Sequence, residues 1–145
     1  MADHWDYLYS LTSDERRAEL ITGLDRLAAL LRAEPGLSKP SVRVEFDRYS
    51  SRHRPAAEQI AQALVLIGEL ADSSIALEVV NGTPYAKVMI RGRLAGLPVE
   101  MTLWAEGLCE HRPNEKRKRD RWVIPAELVD AVAERNRIGG GVDEH

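Results

Sequence analysis

Two turn signals constrain this chain more than anything else in it. Asn81-Gly82 and Ala95-Gly96 are dipeptides that close two-residue hairpins, because asparagine and glycine accept the backbone angles that a right-twisted ribbon demands. Ile75, Leu77 and Val79 precede the first turn, residues 85–94 lie between the two, and residues 97–105 follow the second. The pattern predicts three consecutive strands folded back on one another as an antiparallel meander.

Upstream, residues 13–33 carry Leu20, Leu24, Leu27 and Leu31 at helical spacing, with Ile21, Ala28 and Leu30 widening the stripe. Thr12 and Glu15 have the spacing of a capping box, and Pro35-Gly36 ends the helix. Val42, Val44 and Phe46 then alternate with Arg43, Glu45 and Asp47, the pattern of a strand with one wet face. Pro55 suits the first turn of a second helix, in which Ile60, Ala63, Leu64, Ile67 and Leu70 face the core as a buried crossover. Residues 122–124 read as a short strand, and Pro125 opens a last helix with Leu128, Val129 and Val132 on its apolar side. Gly139-Gly140-Gly141 is expected to stop it.

This order predicts an α+β fold: a small mixed sheet, one parallel crossover strand plus the three-stranded antiparallel meander, with helices mainly on one face. Length favours a single domain over residues 1–138, followed by a flexible tail, 139–145. With the strands running up, up, down and up, segments 48–54 and 108–121 leave the same edge of the sheet. The N-terminus of the second helix, whose free N–H groups favour anions, belongs to that edge too.

Charge points to the same edge. From Arg112 to Arg121, six basic residues stand against Glu115 and Asp120, a net +4 that leaves −7 on the remainder of a chain with formal charge −3. A positive segment on an acidic body selects an anionic partner while the body repels polyanions in general. The candidate anion or nucleic-acid residues are Arg48, Arg52, Arg54, Arg112, Lys116, Arg117, Lys118, Arg119 and Arg121, with Tyr49 and Trp122 as stacking surfaces. The competing reading is a pair of solvated loops, and the pI of about 5.8 is below that of a dedicated nucleic-acid binder.

Catalytic patterns are weaker. Cys109 and His111 lie two apart, so on a strand they share a face, but a lone cysteine is more often a small core hydrophobe than a nucleophile. Ser50-Ser51 beside His53 lacks both an elbow and a third partner, and serines before a helix usually cap it. Glu45 and Asp47 read as solvated partners of Arg43. His4, His53, His111 and His145 have no metal-ligand spacing, one cysteine makes no intramolecular disulfide, and no phosphate-binding glycine loop is present, so neither cofactor nor metal is expected. No apolar stretch is long enough to span a bilayer, and no leader precedes the first helix, which makes the cytoplasm the expected location.

The segment Leu27-Ala28-Ala29-Leu30-Leu31-Arg32-Ala33-Glu34-Pro35, the strand at Val42-Arg43-Val44, the Gly-Leu-Pro-Val-Glu-Met strand from Gly96 and the Leu108-Cys109-Glu110 ending resemble a family of small uncharacterised proteins from actinobacteria and their phages. The resemblance spans roughly residues 20 to 135 as a pattern of apolar positions and turns; the basic run is stronger here. It implies an accessory protein of a phage or mobile element and brings no catalytic residues with it. The sequence therefore predicts a non-catalytic binding protein that takes a nucleic acid or other polyanion. The alternatives are an interaction module that self-associates or binds a host protein, through the first helix or through Trp5, Tyr7 and Tyr9, and a small enzyme using Cys109 or His53.

Overall fold

A computed structural model describes residues 10–46, 54–80, 85–112 and 121–142. The chain divides into two compact units, Met1–Ser41 and Val42–His145. The first holds helix α1 (Ser13–Ala33). Its N-cap is the expected reciprocal pair, with Thr12 Oγ1 accepting from the Glu15 N–H at 3.2 Å and Glu15 Oε1 accepting from the Thr12 N–H at 3.1 Å. No residue of α1 is buried.

The second unit runs β1 (Val44–Phe46), α2 (Ala56–Glu69), β2 (Ala71–Val79), β3 (Ala86–Leu94), β4 (Leu97–Trp104), β5 (Glu110–Arg112), β6 (Arg121–Val123) and α3 (Ala126–Val142). Four strands form a mixed sheet in the order β1-β4-β3-β2. The meander is antiparallel throughout, and β1 adds in parallel to β4, with Val44 opposite Val99 and Phe46 opposite Met101. Helix α2 thus connects the two edge strands, β1 and β2. The fold is the α+β class with a small mixed sheet that the element order implies; Ala95-Gly96 makes its turn between Leu94 and Leu97, while Asn81-Gly82 lies outside the described residues.

Alternation sorts the sheet's faces. Val88, Ile90, Val99, Met101 and Leu103 join Ala63, Leu66, Ile67 and Leu70 of the α2 region and Leu128 and Val132 of α3 in one buried cluster. Gly92 is needed where β3 passes the end of α2, because a Cβ there would sit 2.9 Å from the Leu70 Cβ and 3.1 Å from the Ala71 carbonyl oxygen. Strand β2 begins at Ala71 rather than near Ile75, through a bulge in which Asp72 and Ser73 oppose a single residue of β3. Asp72 takes a φ of +50°. The ladder groups that Ser73 loses are replaced by one side chain of α3: Asn136 Nδ2 donates to the Ser73 carbonyl at 2.8 Å, and Asn136 Oδ1 accepts from the Ser73 N–H at 3.1 Å. Next to it, Arg135 Nε donates to the Leu70 carbonyl at 3.0 Å, satisfying the C-terminus of α2.

Two sequence expectations are corrected. Helix α3 does not stop at residue 138; it continues through Gly139-Gly140-Gly141 to Val142. Glycine lowers helix propensity without forbidding helical angles, so a terminal turn persists where no capping conformation displaces it. Segment 108–121, expected to be a loop down to a strand at 122–124, is paired at both ends: Glu110 faces Val123, His111 faces Trp122 and Arg112 faces Arg121 in a separate two-stranded ladder. The three-residue strands are too short for any periodicity to register.

Candidate polyanion-binding site

Strand directions set out the site. Because β1 and β4 are parallel, Phe46 and Trp104 end their strands at the same end of the sheet, and the chain leaves both strands there. After β4 the chain is redirected by a turn in which the Leu108 and Cys109 N–H groups both donate to the Ala105 carbonyl, at 3.1 and 2.8 Å. Gly107 takes a φ of +86°, a value that side chains rarely adopt. This turn feeds β5, and the β5–β6 ladder closes the base of the basic segment.

The candidate residues fall into three groups. Arg48 and Arg52, like Tyr49, and Lys116, Arg117, Lys118 and Arg119 lie outside the described residues. Arg54 lies just before α2, its Nη1 3.6 Å from Glu58 Oε1 and its carbonyl accepting from Gln59 Nε2 at 2.6 Å. Arg112 and Arg121 are register partners at the outer end of the β5–β6 ladder. Three paired residues form a marginal ladder by themselves.

The sheet's polar face behaves in the opposite way. Glu45, Arg43, Glu100, Arg91, Glu78 and Lys87 form a continuous chain of opposite charges across all four strands: Arg43 Nη2 lies 2.9 Å from Glu45 and 3.2 Å from Glu100, and Arg91 lies 2.9 Å from Glu100 and 3.0 Å from Glu78. Lys87 Nζ closes it at 3.9 Å from Glu78. The two carboxylates raise the affinity of the Arg91 guanidinium for its proton, Glu100 by the larger amount. A shallow depression of about 290 Å³ lies here, lined by Arg43, Arg91, Gly92, Pro98, Val99 and Glu100. Its cations already have carboxylate partners, so it offers no spare positive charge to a ligand.

An aromatic pair sits at the end of the sheet where β4 leaves, and sequence reasoning missed it. Tyr85 and Trp104 meet edge to face with ring centroids 6.5 Å apart, Tyr85 being exposed and Trp104 half-buried. Both residues lay inside segments read as strands, and nothing in a linear pattern marks a strand's last residue as a surface platform. Trp122, the stacking residue the sequence did suggest, is half-buried on β6.

Cys109 is half-buried, and that burial pushes its thiol up to about 11. Nucleophilic cysteines need a depressed value, so near neutral pH this thiol stays protonated. His53, Ser50 and Ser51 lie outside the described residues. Among the described residues no helix is long and apolar enough to cross a membrane. The chain matches no family model, no curated protein and no solved structure.

Proposed function

We propose that this is a non-catalytic binding protein that holds a nucleic acid or another polyanion with the basic segment Arg112 to Arg121, as an accessory protein of a phage or mobile element. The observation that carries the reading is the pairing of Arg112 with Arg121. A net charge of +4 thus belongs to a segment whose two end residues are paired in one ladder, on a protein whose described sheet cations are matched by carboxylates. The exposed Tyr85 beside Trp104 adds a stacking surface at the end of the sheet where β4 leaves, the kind that accepts any base.

Recognition by such a segment is electrostatic and indifferent to sequence, because phosphate contacts carry the affinity. Retention of the full chain on DNA and RNA columns, measured against salt concentration, tests it. The parent is expected to bind at low salt and elute as salt rises. Arg117→Glu with Arg119→Glu is expected to weaken binding to all sequences alike and to flatten the slope of log affinity against log salt by about two, since each lost phosphate contact removes about one released counterion. A parent with no affinity at low salt, or a double variant that binds as the parent does, refutes the proposal.

A further inference from the structure

In α1 the residues Leu20, Leu24, Leu27 and Leu31 follow the alternating four- and three-residue steps of a coiled-coil seam. One further step at each end reaches Arg17, within the helix, and Glu34, its C-cap residue. Leu20 is 62% exposed, Ile21 52%, Leu24 46% and Leu30 47%, Leu27 and Leu31 are half-buried, and nothing on the helix is fully buried. A helix of 21 residues usually owes its stability to packing of its apolar face, and an apolar stripe of this extent marks an interaction surface.

We propose that α1 forms the interface of a two-fold homodimer, in which the helices of two copies pair antiparallel along this seam. The charge pattern selects both the occupant and the orientation. Read in reverse, the seam Arg17, Leu20, Leu24, Leu27, Leu31, Glu34 has the same spacing and the opposite end charges. An antiparallel pair therefore stacks Leu24 on the partner's Leu27, Leu20 on the partner's Leu31, and Arg17 on the partner's Glu34, twice over. A parallel pair would set Arg17 against the partner's Arg17 and Glu34 against the partner's Glu34, like charge on like. Antiparallel helices also oppose their dipoles. A two-fold interface requires a surface complementary to itself, whereas a foreign partner imposes no such condition on this seam. Ile21 and Leu30 flank it and widen the contact beyond its leucines.

Size-exclusion chromatography with light scattering on the full chain is expected to give the mass of two chains of 16.2 kDa each. Leu24→Glu with Leu27→Glu is expected to halve it while leaving the cooperative unfolding of the other unit in place. If those glutamates unfold the chain, the exposed end charges carry the test: Arg17→Glu turns two symmetry-related opposite-charge pairs into like-charge ones and is expected to raise the dimer dissociation constant roughly tenfold, and adding Glu34→Arg to restore it. Orientation is read in a Cys109→Ala background with a short thiol crosslinker. A mixture of Leu20→Cys and Leu31→Cys chains is expected to crosslink, and neither chain by itself. A monomeric parent, a glutamate variant that folds yet remains dimeric, an unrestored charge swap, or Leu20→Cys crosslinking to itself overturns the proposal.

Discussion

Helices α1 and α2 look alike in leucine and alanine content, and the protein uses them differently. Over 14 residues α2 buries Gln59, Ala63, Leu66 and Ile67, whereas α1 buries none of its 21. The distinction is written in their polar faces. Helix α1 carries charges throughout, from Asp14, Glu15, Arg16, Arg17 and Glu19 to Asp25, Arg26 and Arg32, while the charges of α2 are Glu58 and Glu69, one near each end. Helix α2, with few charges to keep in water, buries one face against the sheet and leaves Val65 74% exposed on the other, whereas a helix with a stripe and a charged flank needs only one neighbour. Periodicity tells which face is apolar; the breadth of that face tells whether the rest of the fold will cover it.

The largest expected effect lies in α2. Ile67 is 1% exposed at the centre of the buried cluster, and Ile67→Ala is expected to destabilise the Val42–His145 unit by about 2–5 kcal/mol, lost side-chain transfer plus the cavity left behind. Leu24→Ala on α1 removes the same number of carbons and is expected to change that unit's unfolding free energy by less than about 0.5 kcal/mol. Tryptophan fluorescence during urea unfolding reads both. Equal shifts would mean that α1 belongs to the same cooperative core, and the contrast drawn above would collapse.

A second, smaller effect sharpens the same contrast at backbone level. Gly92→Ala would press a Cβ to 2.9 Å from the Leu70 Cβ and 3.0 Å from its Cδ1, at a cost of about 1–3 kcal/mol from overpacking. Adding Leu70→Ala removes one of the three close atoms, Cδ1, and leaves the Leu70 Cβ and the Ala71 carbonyl oxygen. The double variant should therefore be more stable than the sum of the singles predicts, and the excess is the coupling between α2's end and β3. Strict additivity would show that the close approach does not shape the unit.

How much of this could be read from the chain depended on the range of the interactions. The capping box at Thr12 and Glu15, the turn at Ala95-Gly96 and the meander are set by residues a few positions apart, and each lies where its signal does. Strand directions followed from connectivity. The start of β2 was illegible because its bulge at Asp72 and Ser73 is completed by Asn136, 63 residues beyond Ser73. Strands β5 and β6 were illegible because each is three residues long and exists by pairing with the other. Of the site, the charge was visible and the pairing of its two end residues was not. Tyr85 and Trp104 become a surface only when two strands bring their ends together.

The smallest expected effect concerns a turn that the sequence located and whose conformation it left open. Ala95 sits at φ +50° in the two-residue connection between Leu94 and Leu97, which are register partners. A side chain in that left-handed region costs roughly 1–2 kcal/mol, and glycine carries no such penalty. Against this, glycine gives up about 0.5–1 kcal/mol more chain entropy on folding. Ala95→Gly is therefore expected to stabilise the Val42–His145 unit by about 0.5–1 kcal/mol, as an upward shift in urea midpoint at unchanged slope. Arg93 Nη1 donates to the Ala95 carbonyl at 3.1 Å, a bond that the substitution leaves intact, so relief of strain is what the shift would measure. A loss of stability would mean that the Ala95 methyl contributes more than its backbone angle costs, and the turn would then join the packed part of the unit.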